Sequence, residues 1–207
     1  MGLVKEGIQQ AKEASEIIGW AGDAVQRAES LIALSSLLLS DKQLDAREEV
    51  ASRAISLPPE KGQQYLVCQG RRILGIVYCS KGDTEKGIHH LEVALEIASS
   101  RNVEDQLFWI HFNLATVHAE EGGFDDAHAH VEHVKSWTIN QPHLLALTSG
   151  LWARCLAVQD MFEGAKSEAL RALYVFEKLG ATNDAEVTRK LIEEIDGLNA
   201  HREGTRT

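Results

Sequence analysis

The sequence predicts an all-α protein built from repeated pairs of antiparallel helices. Only three prolines occur in 207 residues, and apolar residues recur at three- and four-residue spacing through the long stretches between them. This spacing is typical of amphipathic helices. Turns between paired helices are expected at Lys42, Gly82, Gly122 and Asp160, about 40 residues apart. A period of this length indicates a helical repeat.

The repeat is clearest between Leu74 and Ser100, in the segment LGIVYCSKGDTEKGIHHLEVALEIASS. Apolar and small residues occupy its helix-contact positions, namely Leu74, Gly75, Tyr78, Gly87, Leu91 and Ala94. Small residues return at the matching places in other periods, namely Ala51, Ala54, Ala127, Ala165, Ala169 and Ala172. Because two helices approach closely only where small side chains face the contact, these positions indicate stacked helix pairs.

This pattern resembles the tetratricopeptide repeat, in which W-x2-L-G-x2-Y on a first helix is followed by A-x3-F on a second helix and then by Pro. Arg71 stands in place of the Trp, and no Pro closes that repeat. The period exceeds the usual one of about 34 residues. In this respect the chain is similar to kinesin light chains, Pins-type scaffolds and the C-terminal repeats of fungal signalling ATPases of the NB-ARC or NACHT class. The resemblance implies a right-handed superhelical solenoid.

We expect a single solenoid over residues 1–198. Its parts are a helix at 2–19, repeat cores at 28–61, 68–101, 108–141 and 146–179, and a capping helix at 183–198. The first helix aligns with the second helix of a repeat, which indicates a fragment of a longer protein. Residues 199–207 are expected to form a disordered tail.

The charge balance excludes several classes of partner. Asp and Glu total 31 against 21 for Lys and Arg, giving a formal net charge of -10. Such a surface repels nucleic-acid phosphates and anionic lipid headgroups, so we expect neither as a partner. The three cysteines lack the spacing of a disulfide framework or a zinc site, and no apolar run reaches the roughly 18 residues of a membrane span. We therefore expect a cytoplasmic protein.

Three histidines in the stretch FDDAHAHVEHV, Phe124 to Val134, raise the question of a metal site. On a helix that advances about 100° per residue, His128 points away from His130 and His133. The remaining set, Asp126, His130 and His133, shares a stripe expected to face solvent, and zinc accepts such N and O ligands. Because no HExxH or paired-Cys motif supports it, we predict no metal site and keep this set as a remote alternative.

The sequence carries no motif for catalysis or for a cofactor. The segment Gly82–His89 has the G-x4-G spacing of a phosphate loop, but Ile88 and His89 replace the Lys and Ser/Thr that hold phosphate and magnesium. No GxSxG occurs, and Cys79 and Cys155 are expected to pack inside first helices. We predict that the protein is not an enzyme and binds no cofactor.

The resemblance also implies a partner site, because the first helices of tetratricopeptide repeats line a concave groove. Carried over by position, the groove residues are Gln69, Arg72, Ile76, Trp109, Phe112, Thr116 and Arg154. Aromatic and Arg side chains dominate binding energy in desolvated pockets, so a peptide or protein with apolar and acidic side chains is expected. We therefore predict a non-catalytic interaction scaffold that is part of a larger signalling or scaffold protein.

Two questions stay open at the level of sequence. Trp109 and Phe112 either face the groove or pack between the helices of neighbouring repeats. Self-association is the alternative function, because a solenoid that opens in the middle of a repeat exposes an apolar face to a second copy.

Overall fold

The structure is a computed structural model that describes residues 2–38, 43–56, 64–101, 103–138 and 140–204. Within these ranges the chain forms ten α-helices and no β-strand, which confirms the predicted all-α class. The helices are α1 (Gly2–Ala21), α2 (Ala24–Leu38), α3 (Leu44–Ser56), α4 (Gln64–Ser80), α5 (Thr84–Arg101), α6 (Glu104–Glu120), α7 (Phe124–Trp137), α8 (Pro142–Val158), α9 (Phe162–Leu179) and α10 (Thr182–Gly204). Over the same ranges, no helix is both long enough and apolar enough to cross a membrane.

Three of the expected turns are confirmed, at Gly82, Gly122 and Asp160, where φ is +86°, +79° and +58°. After each of them the next backbone N–H donates to a carbonyl oxygen of the preceding helix, from Asp83 to Tyr78 (2.9 Å), Gly123 to His118 (2.8 Å) and Met161 to Leu156 (2.9 Å). This bond beside a left-handed residue is a common helix ending. The fourth expected turn, at Lys42, lies outside the described residues.

The chain divides into two compact units, Met1–Ile110 and His111–Thr207. In the first unit α1 packs against α2, α2 against α3, α3 against α4, and α4 against α5. Its core combines fully buried residues of α2, α3 and α4, among them Leu38, Ala51 and Val77. The alternation of first and second helices predicted by the repeat pattern is therefore present in this unit.

Gly75 of α4 and Gly87 of α5 allow the two helices to approach closely. A Cβ on Gly75 would lie 2.6 Å from Cγ of Leu91 and 2.9 Å from the carbonyl oxygen of Gly87. Leu91 and Ala94, on the facing side of α5, are fully buried. Packing against the partner helix, rather than backbone conformation, therefore requires glycine at position 75.

In the second unit α7 packs against α8, α8 against α9, and α9 against α10. Ala165 and Ala169 of α9 are fully buried and share a core with Leu191 and Ile195 of α10. Phe176, 2% exposed, fills a second core near the end of α9. The alanine face of α9 lets α10 close this side of the unit.

The helix expected at 2–19 is observed as α1, and the capping helix expected at 183–198 is observed as α10. One expectation is wrong: α10 continues to Gly204, so residues 199–204 are helical and do not belong to a disordered tail. Arg202 accounts for the extension, because its Nη1 is 2.8 Å from Oδ2 of Asp160 and its guanidinium stacks over the Phe162 ring. A single solenoid over 1–198 stays a prediction.

Replacing Gly75 by Ala should destabilise the protein. The added methyl group meets Leu91 and the backbone of Gly87, and overpacking of this kind costs about 1–3 kcal/mol in the free energy of unfolding. Urea unfolding followed by circular dichroism measures the change. As a matched control, Gly197→Ala on α10 meets no atom within 4 Å and should be neutral or stabilising by up to about 1 kcal/mol. Equal stability of the two variants would contradict the packing argument.

Candidate functional site

A groove with a cavity of about 290 Å³ opens in the second unit between α6, α8 and α10. We call it the second-unit groove. From α8 it is lined by Leu147, Gly150, Leu151 and Arg154, at the i, i+3, i+4, i+7 spacing of one helix stripe. The stripe contributed by α10 has the same spacing and consists of Asp184, Val187, Thr188 and Leu191. Because α8 and α10 each contribute one face of the helix, the lining of the groove is continuous along both helices.

The walls of the second-unit groove are mainly apolar. Phe112 of α6 and Leu147 of α8 are half-buried, and Val187 of α10 is 53% exposed. Gly150 leaves room in the middle of α8, because a Cβ built there meets no atom within 4 Å. Apolar surface that stays accessible beside free space is suited to taking up a side chain from a partner.

Two polar groups of the groove have no partner within the described part of the chain. The Nδ2 atom of Asn113 is buried and finds no hydrogen-bond acceptor. The guanidinium of Arg154 is exposed at the rim and takes part in no ion pair. By contrast, Asp184 is paired with His143, with 2.9 Å between Oδ2 and Nε2. The groove therefore offers one amide donor and one cation to a ligand.

Three predicted groove residues, Phe112, Thr116 and Arg154, line this cavity together. Sequence reasoning missed Asn113 and the α10 stripe, because α10 was expected only to cap the stack. The regular spacing of Val187 and Leu191 was visible in the sequence, but their orientation depends on how α10 packs against α9.

The other predicted groove residues, Gln69, Arg72, Ile76 and Trp109, lie in the first unit and are all half-buried. Nε of Arg72 donates to Oε1 of Gln106 at 3.3 Å. The Trp109 ring packs edge-on against Phe108, with 5.0 Å between centroids. A groove role for these four residues stays a prediction.

Four histidines of the second unit meet between α6 and α7, and we call them the histidine cluster: His111, His118, His130 and His133. The Nδ1 atoms of His111 and His130 are 2.8 Å apart, so one ring donates a hydrogen bond to the other. The His133 ring stacks on His111 with 4.6 Å between centroids, and His118 stacks on His130 with 5.5 Å. The contact joins α6 to α7 through polar rings.

Burial is the largest cause that lowers the pKa of His111 and of His130, each to about 4. The neighbouring histidines lower both values further, since protonating one ring repels protonation of the next. Asp126 opposes this effect at His130 without overcoming it. These two rings are therefore neutral in the folded protein at pH 7.

The metal candidates Asp126, His130 and His133 do not all face solvent, contrary to the prediction from the sequence. His130 is half-buried against α6 instead of facing solvent, whereas Asp126 is exposed. His128 lies against the Trp152 ring, 4.9 Å between centroids, in keeping with its expected direction. In the part of the chain that the structure describes, no three His, Cys, Asp or Glu side chains are placed to hold one metal ion.

Sequence reasoning missed His111 and His118. Their seven-residue separation places both on one stripe of α6, which was the available signal. Which residues of α7 lie opposite that stripe depends on tertiary packing, so the pairing with His130 was not visible in the sequence.

Comparison with known proteins gives the fold. No protein-family model matches the chain, and no curated protein matches it. BtubC (BKLC) from P. vanneervenii has a similar structure, with a TM-score of 0.68, 16% identity, and coverage of 97% of this chain and 92% of that one. Aspartyl phosphate phosphatase F from Bacillus subtilis gives a TM-score of 0.65 at 14% identity, covering 95% of this chain and 56% of that chain.

A Rap protein in complex with Competence and Sporulation Factor also gives a TM-score of 0.65, at 13% identity, with coverage of 96% of this chain and 60% of that chain. The chain thus spans less than two thirds of the phosphatase and of the Rap protein. All three structures are helical-repeat folds of the tetratricopeptide-like kind, and the chain shares that fold class.

Stability should fall as the pH decreases from about 6.5 towards about 4. Unfolded histidines protonate near pH 6.5, whereas His111 and His130 stay neutral in the folded state until about pH 4. Over this interval the unfolded state binds more protons, and each such histidine costs up to about 1.4 kcal/mol per pH unit. Urea unfolding at a series of pH values measures this loss.

The variant His111→Phe should show a smaller loss over the same interval. Burial also lowers the pKa of His90 to about 4. Because His90 is unchanged in this variant, part of the decrease in the free energy of unfolding with falling pH remains. The matched control is His128→Phe, at an exposed position of the same unit, and should follow the wild type. If all three proteins lost stability equally, the histidine cluster would not be the cause.

Proposed function

We propose that the chain is a non-catalytic interaction module that binds a peptide or a protein segment in the second-unit groove. The observation that carries this proposal is the combination, in one cavity, of accessible apolar walls with an amide donor and a cation that lack partners. A self-contained helical core has no need of such a combination. A ligand that covers the walls would also satisfy Asn113 and Arg154.

The size of the cavity favours a peptide over a small molecule. Pockets for drug-sized ligands have volumes of about 300–1,000 Å³ and enclose most of the ligand. At about 290 Å³ the second-unit groove is at the lower end of this range. It has room for one or two side chains of a longer ligand that continues along the helix stripes.

The charge of Arg154 favours an acidic group on the partner. Its guanidinium forms no ion pair within the described residues, although acidic residues outnumber basic ones in the chain. Phe112 supplies an aromatic wall beside it, and Arg with aromatic residues forms the usual centre of binding energy in interfaces. We therefore infer a partner segment with an apolar side chain close to a carboxylate.

The structural comparisons support the proposal at the level of fold. One similar structure is a Rap protein complexed with Competence and Sporulation Factor, so a helical-repeat protein of this fold class engages a second molecule. We further propose that this chain is the repeat region of a larger cytoplasmic signalling or scaffold protein, such as the signalling ATPases whose repeats it resembles.

A non-enzymatic role is supported by the state of the thiols. Cys68 and Cys155 are buried, and burial raises the pKa of each thiol to about 11. Protonated, enclosed thiols do not act as nucleophiles. One similar structure is named a phosphatase, but the hydroxyls of Thr116 and Thr188 in the second-unit groove donate to backbone carbonyl oxygens and not to a side-chain base.

Filling the second-unit groove should weaken peptide binding without unfolding the protein. Gly150→Leu places a side chain in free space, and replacing a helical Gly also raises helix propensity by up to about 1 kcal/mol. Peptides selected from a displayed random library on the wild type should lose at least tenfold in affinity for this variant, equivalent to about 1.4 kcal/mol. Fluorescence anisotropy measures the affinity.

The matched control is Gly197→Leu on α10, which also meets no atom within 4 Å and does not line the groove. It should bind the selected peptides as the wild type does. Among those peptides, acidic ones should also be weakened by Arg154→Glu and not by Arg171→Glu. If Gly150→Leu and Gly197→Leu bound equally well, the groove would not be the binding site.

Self-association is a second candidate function, favoured by one observation in the first unit. Trp20 and Ile17 of α1 are 93% and 68% exposed, and a large exposed apolar patch is typical of an interaction surface. Light scattering over a dilution series should show a dimer or larger species that Trp20→Ser reduces to a monomer. Tyr174→Ser, at a 62% exposed aromatic of α9, is the matched control. A wild type that is monomeric at every concentration would exclude this function.

A further inference from the structure

Arg47, in the first turn of α3, is an arginine buried inside the first unit. The residue is 3% exposed. Its Nε donates to the backbone carbonyl oxygen of Ser35 at 3.1 Å, and Oγ of Ser35 donates back to the carbonyl oxygen of Arg47 at 3.3 Å. Its Nη1 is also buried and finds no acceptor in the part of the chain that the structure describes. The side chain is thus fixed against α2 while one of its donors remains unused.

Among the described residues, the charge of Arg47 also has no acidic partner. Burial lowers its pKa to about 10, and the second cause is repulsion by the guanidinium of Arg72 on α4. Burial likewise lowers the pKa of Arg72, whose Nε is bonded to the neutral side chain of Gln106. Neither arginine forms an ion pair with any of the described residues.

Ion pairs are available elsewhere in the same unit. Lys81 bonds to Asp45 and Glu48, at 2.5 and 2.6 Å, and Asp45 and Glu48 are close neighbours of Arg47 on α3. The chain as a whole has ten more acidic than basic residues. The lack of an acidic partner for buried Arg47 and half-buried Arg72 among the described residues therefore does not reflect a shortage of carboxylates.

An uncompensated buried charge is costly, since removing one member of a buried ion pair destabilises proteins by about 3–5 kcal/mol. Buried donors are almost always satisfied, and the exceptions often mark a bound water or ion. We propose that Arg47 and Arg72 together bind one small anion, either a carboxylate or an inorganic ion such as phosphate or chloride. Two guanidinium groups present planar N–H donors that suit carboxylate and phosphate oxygens.

This site lies in the first unit and does not depend on the second-unit groove. Its anion comes either from solution, as chloride or phosphate, or from a carboxylate of a partner. In both cases the shared chemistry is a compact negative charge with acceptor atoms for Nη1 of Arg47.

The test is a melting-temperature series in a zwitterionic buffer to which sodium chloride, sodium phosphate or sodium acetate is added at equal ionic strength. At least one of these salts should raise the melting temperature of the wild type in a saturable manner. The increase should disappear in Arg47→Met and in Arg72→Gln. It should persist in Arg53→Met, an exposed position on the same helix.

Without added anion, Arg47→Met should be at least as stable as the wild type, because an apolar side chain replaces an unpaired charge. A saturable effect of acetate alone assigns the site to a carboxylate, whereas chloride or phosphate effects assign it to an inorganic ion. If Arg47→Met does not fold, Arg72→Gln carries the comparison. Equal increases in the wild type and in these variants, or no increase in the wild type, would overturn the proposal.

Discussion

The close approach of paired helices at small residues is the constraint on which the rest of the structure depends. Ala51, Ala94, Ala127 and Ala169 are fully buried, and each lies on the second helix of a repeat. With Gly75 facing Leu91, these residues set how near two helices come. A larger side chain at any of them would separate the helices and displace every contact further along the pair.

This spacing also decides which side chains are left for function. The alanine face of α9 shares a core with α8 and α10, whereas a different stripe of α8 lines the second-unit groove. Leu147 and Arg154 are on that stripe, one apolar and one charged. A surface of this composition is a consequence of repeat packing, since each first helix buries one face and exposes another.

The features that could be predicted from the sequence are those that depend on short segments. The turns at Gly82, Gly122 and Asp160 follow from local backbone preferences and the repeat period, and so did the helix pairs. The extension of α10 was not predictable, because it rests on Arg202 reaching Asp160, a contact distant in sequence. The pairing of His111 with His130 depends likewise on the rotation of α6 against α7. Of the candidate site, sequence supplied Phe112, Thr116 and Arg154, but not the stripe of α10.

Buried polar groups divide into two kinds in this protein. In the histidine cluster, His111 and His130 share a hydrogen bond and His133 stacks on His111, so the cluster contributes to holding α6 against α7. Arg47 and Asn113 each keep a buried donor that has no acceptor among the described residues. In a core formed mainly by apolar side chains, an unsatisfied donor is a local departure from consistent packing, and such departures are concentrated at functional positions. The histidine cluster therefore stabilises helix packing, whereas Arg47 and Asn113 are the positions where we propose that ligands bind.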